Sequence, residues 1–239
     1  MLGSVRVVTP PAVEPVSLAD VKAELGITDA SQDARITRLI QSARELAEAY
    51  TNRAFITRTL ELQMDAFPLA NVPWWDGVQQ GSIRQFASNR PVALPRPPAI
   101  SIASVRWFDS AGDETTVDAD SYYLDNVSEP ARLVLVGSFS WPTNARAFAA
   151  VSITYDAGYG GTPAHVPGVI RDAIMAHVRD AIERPNASIS AESIDNASVT
   201  YGATPNAATQ GTGGPTASGG LRGEAAAMLA PYRVMDMGV

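Results

Sequence analysis

The apolar positions of this chain recur first with a helical spacing, then with a strand spacing, then with a helical spacing again. Leu18, Val21 and Leu25 stand three and four residues apart, the separation that one turn of helix brings onto one face. Ser17 precedes Leu18 and is followed three positions later by Asp20, the spacing of a capping box, and Gly26 supplies a residue able to end the turn in the left-handed conformation. A short helix over 18–25 is predicted. A second helix, starting near Asp29 or Ser31, carries Ile36, Leu39, Ile40, Ala43, Leu46, Ala47 and Tyr50 as a nearly unbroken stripe. Its other face presents Arg35, Arg38, Gln41, Arg44, Glu45 and Glu48. These read as a solvated face with Gln41–Glu45 and Arg44–Glu48 neighbours. The competing reading is a subunit interface through Arg35, Arg38 and Arg44.

From Arg58 the period becomes two. Leu60, Leu62 and Met64 alternate with Thr59, Glu61 and Gln63, placing the apolar side chains on one face of a strand. Ile83 to Phe86, Val92 to Leu94, Ile102 to Phe108, Tyr122 to Leu124, Arg132 to Val136 and Val151 to Tyr155 are further strand candidates, separated by turn signals at 110–113 and 126–130. The stretch from Leu69 to Ser82 breaks the pattern. It holds the adjacent Trp74 and Trp75, a pair suited either to a binding hot spot or to a loop folded onto its own core.

Helical spacing returns after residue 160. Pro167 suits a first helical turn, and Ile170, Ile174, Val178, Ala181 and Ile182 form a stripe that ends at Arg184-Pro185. This helix can close onto the N-terminal pair, which makes the strands between them an insertion. Residues 185–220 are rich in Ser, Gly, Ala and Thr and poor in large apolar residues, the composition of a linker. Leu221, Ala225, Met228, Leu229 and Tyr232 then share one helix face, with Arg222 and Glu224 elsewhere and Pro231 closing the helix. Such a tethered apolar helix suits docking into a partner's groove, or else folds back on its own domain. The predicted fold class is α+β: a small helical core of two N-terminal helices and a helix near 167–183, an inserted antiparallel β-rich unit, and a long extended C-terminal tail ending in a short helix. The predicted boundaries are 1–55, 56–160, 161–184, 185–220 and 221–239.

Composition narrows the function. The 239 residues are 46% hydrophobic, enough to bury a full core. Cysteine is absent, which excludes disulfides, thiolate nucleophiles and Cys-ligated metals. No run approaches the apolar length of a membrane span, and the opening MLGSVRVVTPP lacks a signal-peptide core; synthesis in the cytoplasm and no membrane partner are expected. A formal charge of −7 and scattered arginines, with Lys22 the one lysine, argue against sequence-specific DNA binding. An acidic surface would, however, let DNA slide past.

Candidate chemistry is thin. His165 and His177 lack the i, i+4 spacing of a helical zinc pair. The stretch 158–161, Gly-Tyr-Gly-Gly, resembles a phosphate cradle but lacks the Lys-Ser or Lys-Thr that would complete it, and reads as a strand-to-helix loop. Asp113-Glu114 and Asp118/Asp120 sit in turns without calcium-loop spacing. No catalytic residue, cofactor or metal is expected. A carboxylate enzyme would need two acidic groups meeting in a cleft.

The motif order carries a resemblance. Ser17 to Lys22, the acidic turn Asp29 to Asp33, Ile36 to Ala43, and Thr51-Asn-Arg53 resemble the start of head-tail connector (adaptor) proteins of long-tailed bacteriophages and gene transfer agents. The stretch 153–159, Ile-Thr-Tyr-Asp-Ala-Gly-Tyr, then Val166-Pro167 and a helix, and the terminal Leu229-Ala-Pro-Tyr-Arg233 agree with it. The resemblance implies a non-enzymatic virion protein of the neck between capsid and tail. It implies a homo-oligomeric ring, a dodecamer, under the portal protein, extending the DNA channel and carrying the stopper or tail-completion protein. It further implies that Leu221, Arg222, Met228, Leu229, Pro231, Tyr232 and Arg233 dock to the portal or a neighbouring copy, with Arg35, Arg38, Arg44, Trp74 and Trp75 at subunit contacts. The alternative is a β-rich tail or baseplate module that recognises carbohydrate, through Trp74 and Trp75, or another virion protein.

Overall fold

The computed structural model describes residues 3–67, 91–137, 139–183, 191–194, 197–200, 221 and 223–234. The strand candidate Ile83 to Phe86, Trp74, Trp75 and Arg222 lie outside them. Fourteen elements follow in chain order: β1 (Gly3–Thr9), α1 (Leu18–Leu25), α2 (Asp33–Thr51), β2 (Arg58–Met64), β3 (Val92–Ala93), β4 (Ala99–Phe108), β5 (Glu114–Thr116), β6 (Tyr122–Asp125), β7 (Arg132–Leu135), β8 (Val151–Ala157), α3 (Gly168–Glu183), β9 (Ala191–Ile194), β10 (Ala197–Thr200) and α4 (Gly223–Leu229). The fold is α+β, with antiparallel sheets and four α-helices among the described residues. The chain divides into two compact units, one of residues 1–13, 52–165 and 234–239, the other of residues 14–51 and 166–233.

In the helical unit, α1 begins as the Ser17-to-Asp20 spacing predicts. The Asp20 N–H donates to Ser17 Oγ at 3.1 Å, and the Ser17 N–H donates to Asp20 Oδ2 at 3.2 Å. Gly26 closes the helix at φ 66°. The Ser17 hydroxyl and backbone also hold the Asp20 carboxyl below its usual range. Replacing Ser17 by alanine should lower the stability of this unit by about 1 kcal/mol, read as a shifted thermal midpoint in circular dichroism at 222 nm; an unchanged midpoint would show that the box holds nothing.

The stripe of α2 buries Ile36, Ile40, Ala43 and Ala47. Ile170, Ala173, Ile174 and Val178 of α3 face the same core, as do Leu221, Ala225 and Leu229 at the C-terminus. α3 packs on both α2 and α4, so it does close onto the N-terminal pair. Each buried branched side chain contributes roughly 1.5–3 kcal/mol, which is how a seven-residue helix such as α4 keeps its shape. Two short strands, β9 and β10, pair antiparallel within 185–220, where the linker composition announced none.

The β unit holds a five-stranded antiparallel sheet of order β1-β2-β8-β4-β5 and a three-stranded sheet of order β3-β7-β6. The register lays the core side chains in rows across the larger sheet. One row runs Val7, Leu60, Tyr155, Ile102, and the next runs Val5, Leu62, Ile153, Val105. Leu94, Leu133, Phe67 and Trp141 complete the shared core, the last two stacked at 4.1 Å. Tyr155 is fully buried and satisfies its hydroxyl by donating to the Pro95 carbonyl at 2.6 Å. β1 and β5 are strands that the sequence pattern did not mark. β1 is short, edge-placed and exposed on all seven residues, so no alternation of buried and exposed positions sets it apart.

Candidate assembly surfaces

Three groups of side chains could carry contacts to other molecules, and none resembles a reaction centre. On α2 the polar face is divided. Arg35 and Arg38 are exposed as predicted, and Gln41 donates to Glu45 at 3.1 Å. Arg44 and Glu48 correct the expectation of a solvated face: they are 5% and 4% exposed. Arg44 donates to Glu48 at 2.9 Å and to Glu14 at 2.7 Å, with Glu45 at 3.4 Å. The physical reason is Glu14, thirty residues upstream, which brings a second carboxylate over the guanidinium and allows the pair to be covered. Burial alone would lower the Arg44 pKa, but the hydrogen bond it donates to Glu14 and the charges of Glu48 and Glu14 outweigh it and raise it. Arg44 is therefore turned into its own unit, and the arginines offered outward by α2 are Arg35 and Arg38.

The second group is the C-terminal segment. Leu221 and Leu229 are 2% and 0% exposed, and Met228 is half-buried. The apolar stripe thus lies within the chain's own helical unit. Left outside are Pro231 and Arg233, with Tyr232 partly so. The Arg233 guanidinium stands 5.3 Å from the centre of the Tyr50 ring, a cation–π contact.

The third group was not legible as a site in the sequence. On the face of the five-stranded sheet opposite its core, a polar row crosses all five strands. Arg6 of β1 donates to Glu61 of β2, which accepts from Ser152 of β8. Arg106 of β4 reaches Ser152 at 3.4 Å, Glu61 at 3.8 Å and Glu114 of β5 at 3.3 Å. Burial pushes the Glu61 carboxyl up, but hydrogen bonds from Ser152 and Arg6 and the charges of Arg6 and Arg106 overcome this and hold it below its usual value. At the two ends of the row the side chains remain open, with Arg6 74% and Glu114 43% exposed. Beside Arg6, Val5, Val7 and Val8 are 37%, 52% and 51% exposed.

Elsewhere in the β unit, Gly158 and Gly160 serve backbone packing. The Gly158 N–H donates to the Pro98 carbonyl at 2.9 Å, the Tyr159 N–H to Phe55 at 2.9 Å, and the Thr57 N–H to Gly160 at 3.0 Å. Asp118 caps a short 3-10 turn over Ala119–Ser121 and Asp113 falls at a turn, as the turn reading expected, whereas Glu114 departs from it and opens strand β5, paired with Phe108. A small open depression of about 220 Å³ beside Pro97, Asn126 and Ser128 holds one carboxylate, Glu129, which Arg53 engages. Among the described residues, no three His, Asp or Glu side chains gather as metal ligands, and no helix is long and apolar enough to cross a membrane.

Residues 15–74 match the family described as phage gp6-like head-tail connector protein. No curated protein sequence matches the chain. Among solved structures, the fold resembles a chain in the neck of an empty GTA particle computed with C6 symmetry, at 18% identity and TM-score 0.62, covering 99% of this chain and 98% of the other. It resembles a chain in the virion of a native gene transfer agent particle at 19% identity and TM-score 0.61, covering 98% of each. A chain in the neck of the native GTA particle computed with C12 symmetry gives 17% identity and TM-score 0.58, covering 99% and 98%. The matched segment contains α1, α2 and β2, the elements that carry the capping box and the apolar stripe, and the likeness to the GTA chains is one of fold over nearly the whole chain.

Proposed function

We propose that this protein is a structural adaptor in the neck of a phage-like particle. It forms a ring beneath the portal, lines an extension of the DNA channel, and offers a platform for the stopper or tail-completion protein. The observation that carries the reading is the family match at residues 15–74 on a fold shared, over nearly its whole length, with chains of GTA necks. Necks computed with C6 and C12 symmetry support a ring, and a dodecamer is the stoichiometry we assign. The net charge of −7 suits a channel that must not hold DNA. The role requires no chemistry of its own. The carbohydrate-binding alternative rests on Trp74 and Trp75, outside the described residues, and the family match does not favour it.

Docking to the portal falls, in this reading, to the part of the C-terminal segment that stays outside: Pro231, Tyr232 and Arg233. Deleting 221–239 would remove Leu221, Ala225 and Leu229 from the core, so loss of attachment would then report unfolding. Arg233→Glu is the cleaner variant. The mass of the purified protein, alone and mixed with its portal, should show monomers or small species that become rings on the portal. Arg233→Glu should keep its helical circular dichroism and bind the portal at least tenfold more weakly. A wild-type protein that ignores the portal would overturn the adaptor reading; an Arg233→Glu variant that binds as well as wild type would overturn only the docking assignment.

A further inference from the structure

We infer that the five-stranded sheets of neighbouring copies join edge to edge, with β1 of one copy pairing in parallel with β5 of the next. The inference rests on the ring proposed above and adds the surface that closes it. Both strands are sheet edges, and both are exposed along their whole length. At β5, Asp113 offers its carbonyl to Asp109 and Val117 donates to Val105, at 3.0 and 2.8 Å. Backbone groups of an antiparallel strand alternate in direction, so those of Glu114 and Thr116 turn outward. Uncovered edges of this kind template the pairing of another chain, and natural proteins usually guard them with charge, proline or a bulge. Over its seven residues β1 carries one charge, Arg6, no proline, and a register shift only near its end, between Val7 and Thr9.

Three observations select β5 of a second copy as the occupant. First, the core-side rows are unfinished at β1: Val5 and Val7 lie in register with the buried Leu62 and Leu60, yet stay 37% and 52% exposed. A neighbouring strand would cover them. Second, the polar row ends in a cation at β1 and a carboxylate at β5, both on the outer face and both open to solvent. Stacking β5 against β1 with Ser4 beside Thr116 brings an edge that carries a carboxylate to an edge that carries a cation, whereas β1 against β1 would bring like charges together. Third, the strand count is odd and every pair is antiparallel, so the two edge strands run in the same direction. Copies related by rotation about an axis along the strands then meet through a parallel, head-to-tail pair, the arrangement that closes a ring.

The absence of cysteine makes the test direct. Ser4→Cys and Thr116→Cys place thiols on the outer face at β1 and β5, in positions that the register aligns on one row through Gln63, Ser152 and Arg106. Full-length single variants are mixed on the portal and treated with a short bismaleimide, and assembly is followed separately by native mass. The expected result is a covalent dimer in the mixture, a ladder up to the closed ring for the double variant, and no product from either variant alone. Rings that assemble without cross-links, or dimers from Ser4→Cys alone, would overturn the edge pairing and leave the adaptor reading standing. Failure of all variants and of the wild type to assemble on the portal would overturn both.

Discussion

Replacing Glu48 by alanine should destabilise the helical unit by about 3 kcal/mol, the lower part of the range for removing one partner of a buried ion pair. Arg44 would be left covered, its side chain 6% exposed, with only the half-buried Glu14 and the exposed Glu45 to answer its charge. Glu14 keeps the loss from reaching the top of that range. The double replacement Arg44→Met with Glu48→Leu should recover most of it, because two apolar groups of similar size need no charge compensation. Urea unfolding followed by circular dichroism at 222 nm measures both. A single Glu48→Ala loss below about 1 kcal/mol would mean that the pair behaves as an ordinary exposed one.

The second large effect belongs to Gly158. An alanine there would place its Cβ 2.6 Å from the Ile56 carbonyl carbon and from the Thr57 nitrogen, at a φ of 137° that side chains rarely adopt. The neighbours are backbone atoms fixed by the bonds linking 55–57 to 158–160, so no side chain can swing away. Strain of 1–3 kcal/mol for the conformation and a similar overpacking cost give an expected loss of about 3 kcal/mol. Gly161→Ala, which meets nothing within 4 Å, is the control. Equal midpoints for the two variants in thermal unfolding would refute the close-approach account.

Much of this architecture was legible in the residues themselves. The Ser17 to Asp20 spacing and Gly26 fixed both ends of α1, because caps depend on neighbours three or four positions away. The alternation of β2 gave its face for the same local reason, and the stripes of α2 and α3 named most of the helical core. What escaped the sequence depends on distant partners. Arg44 and Glu48 look like any i, i+4 pair until Glu14 covers them. Glu61 sits on the polar face of β2 yet is 5% exposed, because Arg6, Ser152 and Arg106 converge on it from three other strands. The apolar stripe of the C-terminal helix was readable, but its destination was not: amphipathicity states that a face must be covered and does not say by what. The glycines at 158 and 160 show the same limit, since their loop resembles a phosphate cradle in composition while the structure uses them to let two backbone segments touch.

The helical unit is split in the chain, its first part ending at residue 51 and its second beginning at 166. That division sets an order of events during synthesis. The β unit has its last strand once residue 157 has emerged, but α2 must wait for α3 and then for Leu229 before its stripe is covered. At the 5–20 residues per second of a translating ribosome, the interval between Thr51 and Leu229 is roughly 10–35 s. Until α3 has emerged, Ile36, Ile40, Ala43 and Ala47 have only α1 to lean on, and their cover stays incomplete until Leu229 arrives. A nascent chain stalled short of residue 221 should therefore be the form that chaperones hold, and the C-terminal helix is the piece whose arrival releases it.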